Sequence, residues 1–212
     1  MKLGILPLGR PTFDVGYAED KLAAMLTALA ASGHEVCGPR ELLFDAEATK
    51  AGIAALKGAG IDQVLLLQVT FTDASMTVAA ANAFDTPLSI WAVPEPRSGG
   101  RLRLNAFCGL NLLSHALSLN NKKFSWLYAD PSGDIAADLD ALFSGQREAG
   151  HLLAASAEKF ASPEGRRVAE AVSGRRVARI GEHPAGFDSC AYSEDQVAEL
   201  TGVKVDALEL DD

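Results

Sequence analysis

The run Gln63-Val-Leu-Leu-Leu-Gln-Val69 constrains the fold more than any other segment of this chain. Successive side chains of a strand point to opposite faces, so an unbroken apolar strand must be covered on both. A parallel sheet wrapped by helices meets that condition, and the flanking sequence supplies the helices. Before the run, Asp45 can cap a helix over Ala46–Lys57, with Ile53 and Leu56 inward and Gly58 and Gly60 ending it. After it, Asp73 can cap a helix of small residues over Ala74–Ala83.

The same alternation runs along most of the chain. Lys2–Leu6 reads as a strand ending at Pro7. Tyr17–Ala31 carries Leu22, Met25, Leu26 and Leu29 at helical spacing, with Ser32-Gly33 as the stop. Glu35–Cys37, Pro87–Val93 and Lys123–Tyr128 are further strands. Leu104–Leu119 is a helix apolar nearly all round, which predicts burial, and Ile135–Val172 reads as helical, broken near Ser144-Gly145 and at Ser162-Pro163. These elements predict a doubly wound, parallel, five-stranded α/β sheet of Rossmann-like type over residues 1–173. After Gly174 the strand pattern resumes at Arg175–Ile180 and again at Val203–Glu209, with Ser193 and Gln196 forming a capping-box signature between them. One βαβ unit cannot bury both faces of its strands, so residues 174–212 are expected to open a second α/β domain and stop within it.

Charge and cysteine usage exclude several classes. A net charge of −9, with no basic tail, argues against a nucleic-acid or acidic-membrane partner. No apolar run approaches the ~20 residues of a membrane span, and Met1–Pro7 is too short for a signal peptide. The cysteines Cys37, Cys108 and Cys190 are odd in number and lack CxxC spacing, which fits a reduced, cytoplasmic chain. Cys37 and Cys108 read as small hydrophobes.

In doubly wound sheets ligands bind beyond the carboxyl ends of the strands. That rule selects the loops Pro7–Phe13, Thr70–Ser75, Pro94–Arg103 and Ala129–Gly133, with Glu182–Asp188 added from the second domain. Arg10 follows the first strand in a turn stiffened by Pro11, where a guanidinium can fork onto hydroxyls, a carboxylate or a phosphate. Phe71 can stack on a sugar ring or cover the core, and Asp73 reads as a helix cap rather than an acid. Glu95, Arg97 and Asn105 cluster around a Pro- and Gly-rich loop of the kind that carries function.

Other motifs fail on chemistry. Gly4-Ile-Leu-Pro-Leu-Gly9-Arg10-Pro11 mimics phosphate-loop spacing, but Arg and Pro replace the Lys and the hydroxyl residue. No GxGxxG follows a strand. His34, His115, His151 and His183 share no ligand spacing, His115 reads as a core histidine, and Glu182-His183 with Asp188 reads as a turn rather than a metal site. No nucleophile–base pair stands out. The residues describe a ligand-binding edge without a catalytic centre.

Several of these segments carry a resemblance. Gly9-Arg10-Pro11-Thr-Phe-Asp14, Leu66–Asp73, Leu104–Gly109, Arg176–Phe187 and Thr201–Leu210 together resemble the N-terminal region of the L-fucose isomerase and L-arabinose isomerase superfamily. The resemblance implies a longer, three-domain aldose–ketose isomerase that uses Mn²⁺, assembles as trimers or hexamers and builds its active site across subunits. It places the metal-binding carboxylates and histidine in later parts of such a chain, leaving no catalytic and no metal-binding residue here. It makes Arg10 a substrate-binding arginine and puts Phe71 near a pocket-lining aromatic. His183 and Phe187 fall in a loop that approaches the sugar, with Glu95, Arg97 and Asn105 as further substrate-binding candidates. Ala185 stands where the fucose enzyme has methionine, and the Pro94–Gly100 loop is unlike either named enzyme, which implies another sugar as substrate. The expected role is substrate recognition for an isomerase, inactive alone; the alternative is a free-standing sugar-binding or regulatory module without catalysis.

Overall fold

A computed structural model describes residues 1–150 and 162–210. The chain divides into two compact units, Met1–Leu152 and Leu153–Asp212, an earlier division than the one expected at Ser173.

In the first unit, the strands are β1 (Lys2–Leu8), β2 (Glu35–Cys37), β3 (Gln63–Gln68), β4 (Leu88–Ala92), β5 (Phe124–Tyr128) and β6 (Glu148–Ala149). The helices are α1 (Val15–Ala31), α2 (Ala46–Leu56), α3 (Ser75–Ala83), α4 (Ala106–Leu119) and α5 (Ala136–Phe143). The sheet order is β2-β1-β3-β4-β5-β6, parallel except for β6, which pairs antiparallel with β5. The expected five parallel strands are therefore present, with a short sixth at the edge. Glu148–Ala149 was expected to be helical; Gly145 at φ 78° ends the helical stretch and turns the chain back along β5. The rest of the expected Ile135–Val172 helix that falls on residues 151–161, and His151 with it, lies outside the described residues.

Every residue of β3 is buried, as its unbroken apolar run requires. Helices α2, α3 and α4 pack side by side over one face, while α1 and α5 flank a common groove elsewhere on the unit. The inward face of α1 is Ala18, Leu22, Met25 and Leu29, each fully or almost fully buried. Burying a leucine of that kind stabilises a fold by about 1.5–3 kcal/mol. Local signals fix the helix starts. Asp14 accepts the Tyr17 N–H (3.1 Å) to cap α1, and Asp45 accepts the Ala48 N–H (2.8 Å) to cap α2. Two expectations of burial are corrected. Helix α4 buries Leu110, Leu113 and Leu117 but leaves Phe107 half exposed, so it has an open face. Cys108, on the same open side, is exposed rather than a core residue.

The second unit holds α6 (Pro163–Val172), β7 (Arg176–Ile180), α7 (Glu194–Thr201) and β8 (Lys204–Leu208). Ser162 caps α6 by accepting the Gly165 N–H (2.9 Å), and Ser193 caps α7 through the Gln196 N–H (3.3 Å). Strands β7 and β8 pair in parallel, and Arg176 forks onto Asp206 across them (2.6 and 2.8 Å). The Gly174 N–H donates to the Gly202 carbonyl (2.8 Å), tying the end of α6 to the start of β8.

Candidate functional site at the carboxyl edge of the sheet

In a sheet ordered 2-1-3-4-5, the connections leave β1 and β3 in opposite directions, and a crevice opens between their carboxyl ends. Arg10 follows β1 and Thr70–Asp73 follows β3. The Arg10 backbone N–H donates to Thr70 Oγ1 (2.8 Å), and its guanidinium forms an ion pair with Asp73. Asp73 is nearly buried, whereas the Arg10 side chain is about one-third exposed, so the carboxylate anchors and the guanidinium faces outward. The other Asp73 oxygen accepts from the Ser75 N–H (2.9 Å) and from the Ser75 hydroxyl. Asp73 was expected to cap α3. That helix instead starts one residue later with Ala74 as a cap that makes no side-chain bond, because the Asp73 carboxylate is drawn back toward Arg10 and Ser75.

The floor beneath this pair is polar. Gln68 is fully buried and donates to the Thr70 carbonyl (2.6 Å) and Thr72 Oγ1 (3.0 Å), which sets the turn that presents Phe71 and Asp73. Phe71 is half-buried, its ring centroid 6.2 Å from that of Phe13 in a tilted pair across the crevice. Its N–H donates to the Leu104 carbonyl (2.7 Å), joining the β3 loop to the start of α4.

The Pro94–Arg103 loop is gathered by one carboxylate. Glu95 accepts backbone N–H groups from Arg103, Leu104 (3.1 and 3.2 Å) and Asn105 (2.9 Å). These donors precede α4, whose first turn lacks a side-chain cap, and Asn105 takes a left-handed backbone (φ 52°) to enter the helix. Glu95 thus spends both oxygens on the protein's own backbone. Arg97 is exposed and makes no ion pair among the described residues.

Two further ion pairs border the edge. Arg103 lays its guanidinium over the Tyr17 ring, 3.9 Å from the centroid, and donates to Asp14 (2.8 Å). The Tyr17 N–H hydrogen bond, followed by Arg103, holds the Asp14 carboxyl below its usual range. Lys21 reaches Asp130 at 2.8 Å, and this hydrogen bond lowers the Asp130 pKa. Burial pulls the Lys21 ammonium down, but the bond and charge of Asp130 outweigh it and raise its pKa overall.

Arg10, Phe71, Glu95, Arg97 and Asn105 therefore lie on one edge of the first unit. His183 and Phe187 belong to the second, in a turn shaped by Gly181 and Gly186 at positive φ, where the Phe187 N–H donates to the Pro184 carbonyl (3.1 Å). Arg103 and Asp130 fall in loops the sequence assigned to the edge but were not singled out, and Asp14, Tyr17 and Lys21 were not assigned to it. The one signal for them was their place in or beside the carboxyl-end loops, since the pairs form between residues far apart in sequence. Among the described residues no three His, Cys, Asp or Glu side chains converge as a metal requires, so Mn²⁺ has no donor set to assign here.

A doubly wound domain with an arginine–carboxylate pair at its switch point has the build of a small-ligand-binding domain. Residues 4–152 match the family described as fucose/sulfoquinovose isomerase, N-terminal domain, and the chain belongs to that family. It is 28% identical to the sulfoquinovose isomerase of Priestia aryabhattai over 205 residues, 97% of this chain, and equally similar to that of Priestia megaterium. The sulfoquinovose isomerase of Alkalicoccus urumqiensis is 28% identical over 207 residues, 98% of this chain. The chain spans 42% of the length of each of these relatives.

Proposed function

We propose that this chain supplies the substrate-recognition part of an aldose–ketose isomerase acting on sugars of the fucose and sulfoquinovose kind. The observation that carries this reading is the family match over residues 4–152. The edge chemistry supports it. An arginine held from behind by Asp73 presents its remaining N–H donors outward, a preorganised fork for sugar hydroxyls. Phe71 and Phe13 offer ring faces beside it, on which the apolar face of a sugar can rest.

Metal-assisted isomerisation needs a divalent ion at the carbonyl and hydroxyl oxygens and a base to move the proton between them. The described residues do not form such an ion site, so no step is assigned through it. On this reading the ion and the base come from other residues of a longer protein, and this chain binds and orients the sugar. The test is turnover. The full-length protein with Mn²⁺ should convert sulfoquinovose to its ketose by NMR, and Arg10→Ala should raise KM about tenfold. Residues 1–212 alone should show no turnover, and turnover by them would overturn the recognition-only role. Micromolar sugar binding without turnover in the full-length protein would favour a sensing module instead.

A further inference from the structure

At the amino end of the sheet, opposite the switch point, the first unit holds a polar cavity of about 530 Å³, within the range of small-molecule sites. It is lined by the first residues of β3, β4 and β5, by the end of α3 and by the turns that follow α3, α4 and α5. Sheet interiors are ordinarily apolar, yet this end carries buried polar side chains. Gln63 and Ser125 both line the cavity and are more than nine-tenths buried, and Gln63 donates to Ser89 (2.5 Å). Ser125, in register with Ser89 on the next strand, makes no side-chain hydrogen bond among the described residues. A buried hydroxyl without a partner is costly, so a ligand that bonds to it recovers that cost.

The cavity also holds one free charge of each sign. Helices α1, α2, α4 and α5 each close with an N–H bond from the capping residue, whereas α3 stops at an extended Phe84 (φ −133°, ψ 141°) without one. The carbonyls of its last turn, where Ala80 and Ala81 line the cavity, form the negative end of the helix, and Asp85 follows directly. Lys122 supplies the positive charge. Asp85 and Lys122 precede the neighbouring strands β4 and β5, yet form no ion pair with each other or with any other group among the described residues. The remaining charges on the lining, Lys123 and Glu148, neutralise each other at 3.0 Å. A lone anion would meet Asp85 and the helix end, and a lone cation would meet Lys122. A molecule carrying both signs satisfies both, and Phe84, Phe124 and Phe143 offer it apolar surface.

We propose that this cavity is a second ligand site, for a small zwitterion of the α-amino-acid class. Its ammonium lies toward Asp85 and the α3 carbonyls, its carboxylate toward Lys122 and the Ser125 hydroxyl. The site is independent of the isomerase reading and of the sugar edge.

Calorimetry on the full-length protein tests this with L-leucine, L-phenylalanine and L-serine, and with two analogues of leucine: isocaproate, which lacks the ammonium, and isoamylamine, which lacks the carboxylate. At least one amino acid should bind, and leucine should bind at least about tenfold more tightly than either analogue. Asp85→Asn and Lys122→Gln should each weaken amino-acid binding about tenfold. The comparison with the analogues uses the unmodified protein, so it decides the matter even where a substitution disturbs the fold. No binding of any of the three amino acids at millimolar concentration, or analogues that bind as tightly as leucine, overturns the site. So does an affinity that survives the Asp85→Asn/Lys122→Gln double substitution. Sugar turnover plays no part in the readout, so failure here leaves the isomerase reading untouched.

Discussion

At the residue scale, Asp14 shows how one carboxylate serves both fold and site. It caps α1 through the Tyr17 N–H and holds the Arg103 guanidinium over the Tyr17 ring. Its pKa is lowered, first by the Tyr17 hydrogen bond, and that of Asp130 is lowered, first by Lys21. Both carboxyls bind protons less readily when folded than when unfolded. Their contribution to stability is therefore present above the unfolded pKa and lost as pH falls through the lower folded value. The urea midpoint should stay level from neutral pH to about 5 and drop below about pH 4. Asp14→Asn combined with Asp130→Asn should make that acid limb shallower; a limb of unchanged steepness would assign acid unfolding to other groups. The sequence marked Asp14 only as the end of a motif. Its partner Arg103 was unreadable, because the two meet through the docking of separate loops.

At the element scale, the start of α4 decides how the site loops fit together. The N–H of its capping residue Asn105 is bound from outside by Glu95, and Gly109, within its second turn, lets it approach β3. A Cβ at Gly109 would lie 2.8 Å from Gln68 Nε2 and 3.2 Å from the Phe71 Cα. Gln68 is buried and engaged with the Thr70 carbonyl and Thr72, so it cannot swing aside freely. Gly109→Ala should gain about 1 kcal/mol of helix propensity and lose more to overlap, a net destabilisation of about 1–2 kcal/mol by urea unfolding. A stabilised variant would mean that α4 shifts away from β3 at little cost. The sequence predicted this helix from its apolar pattern and placed its start at Leu104. The observed start at Ala106 reflects the left-handed turn at Asn105, which the Glu95 carboxylate holds.

At the scale of the whole molecule, the two units differ in how they are stabilised. The hydrophobic core, from Leu3 to Phe143, lies wholly within the first. No described residue of the second is buried, and Val177, Ile180, Leu200 and Leu208 are exposed along its βαβ element. Residues 1–152 produced alone should therefore fold cooperatively and melt within about 5 °C of the main transition of the 212-residue chain. A molten 1–152, without near-ultraviolet circular dichroism, would show that the first core depends on the second unit.

The sequence by itself determined the elements and the loops that share the ligand edge. Apolar periodicity, capping residues and glycine stops act over a few residues, and they identified β1, β3, β4, β5 and the helices between them. They also placed Arg10, Phe71 and Glu95 beyond strand ends. Only the tertiary structure decided which strands are neighbours, that the switch point falls between β1 and β3, and that Arg10 faces Asp73, 63 residues away. It also brought Glu95 onto the backbone N–H groups of Arg103, Leu104 and Asn105, at the entry to α4. Lateral strand order and ion pairing depend on contacts between distant segments, and no local pattern encodes which distant partner wins.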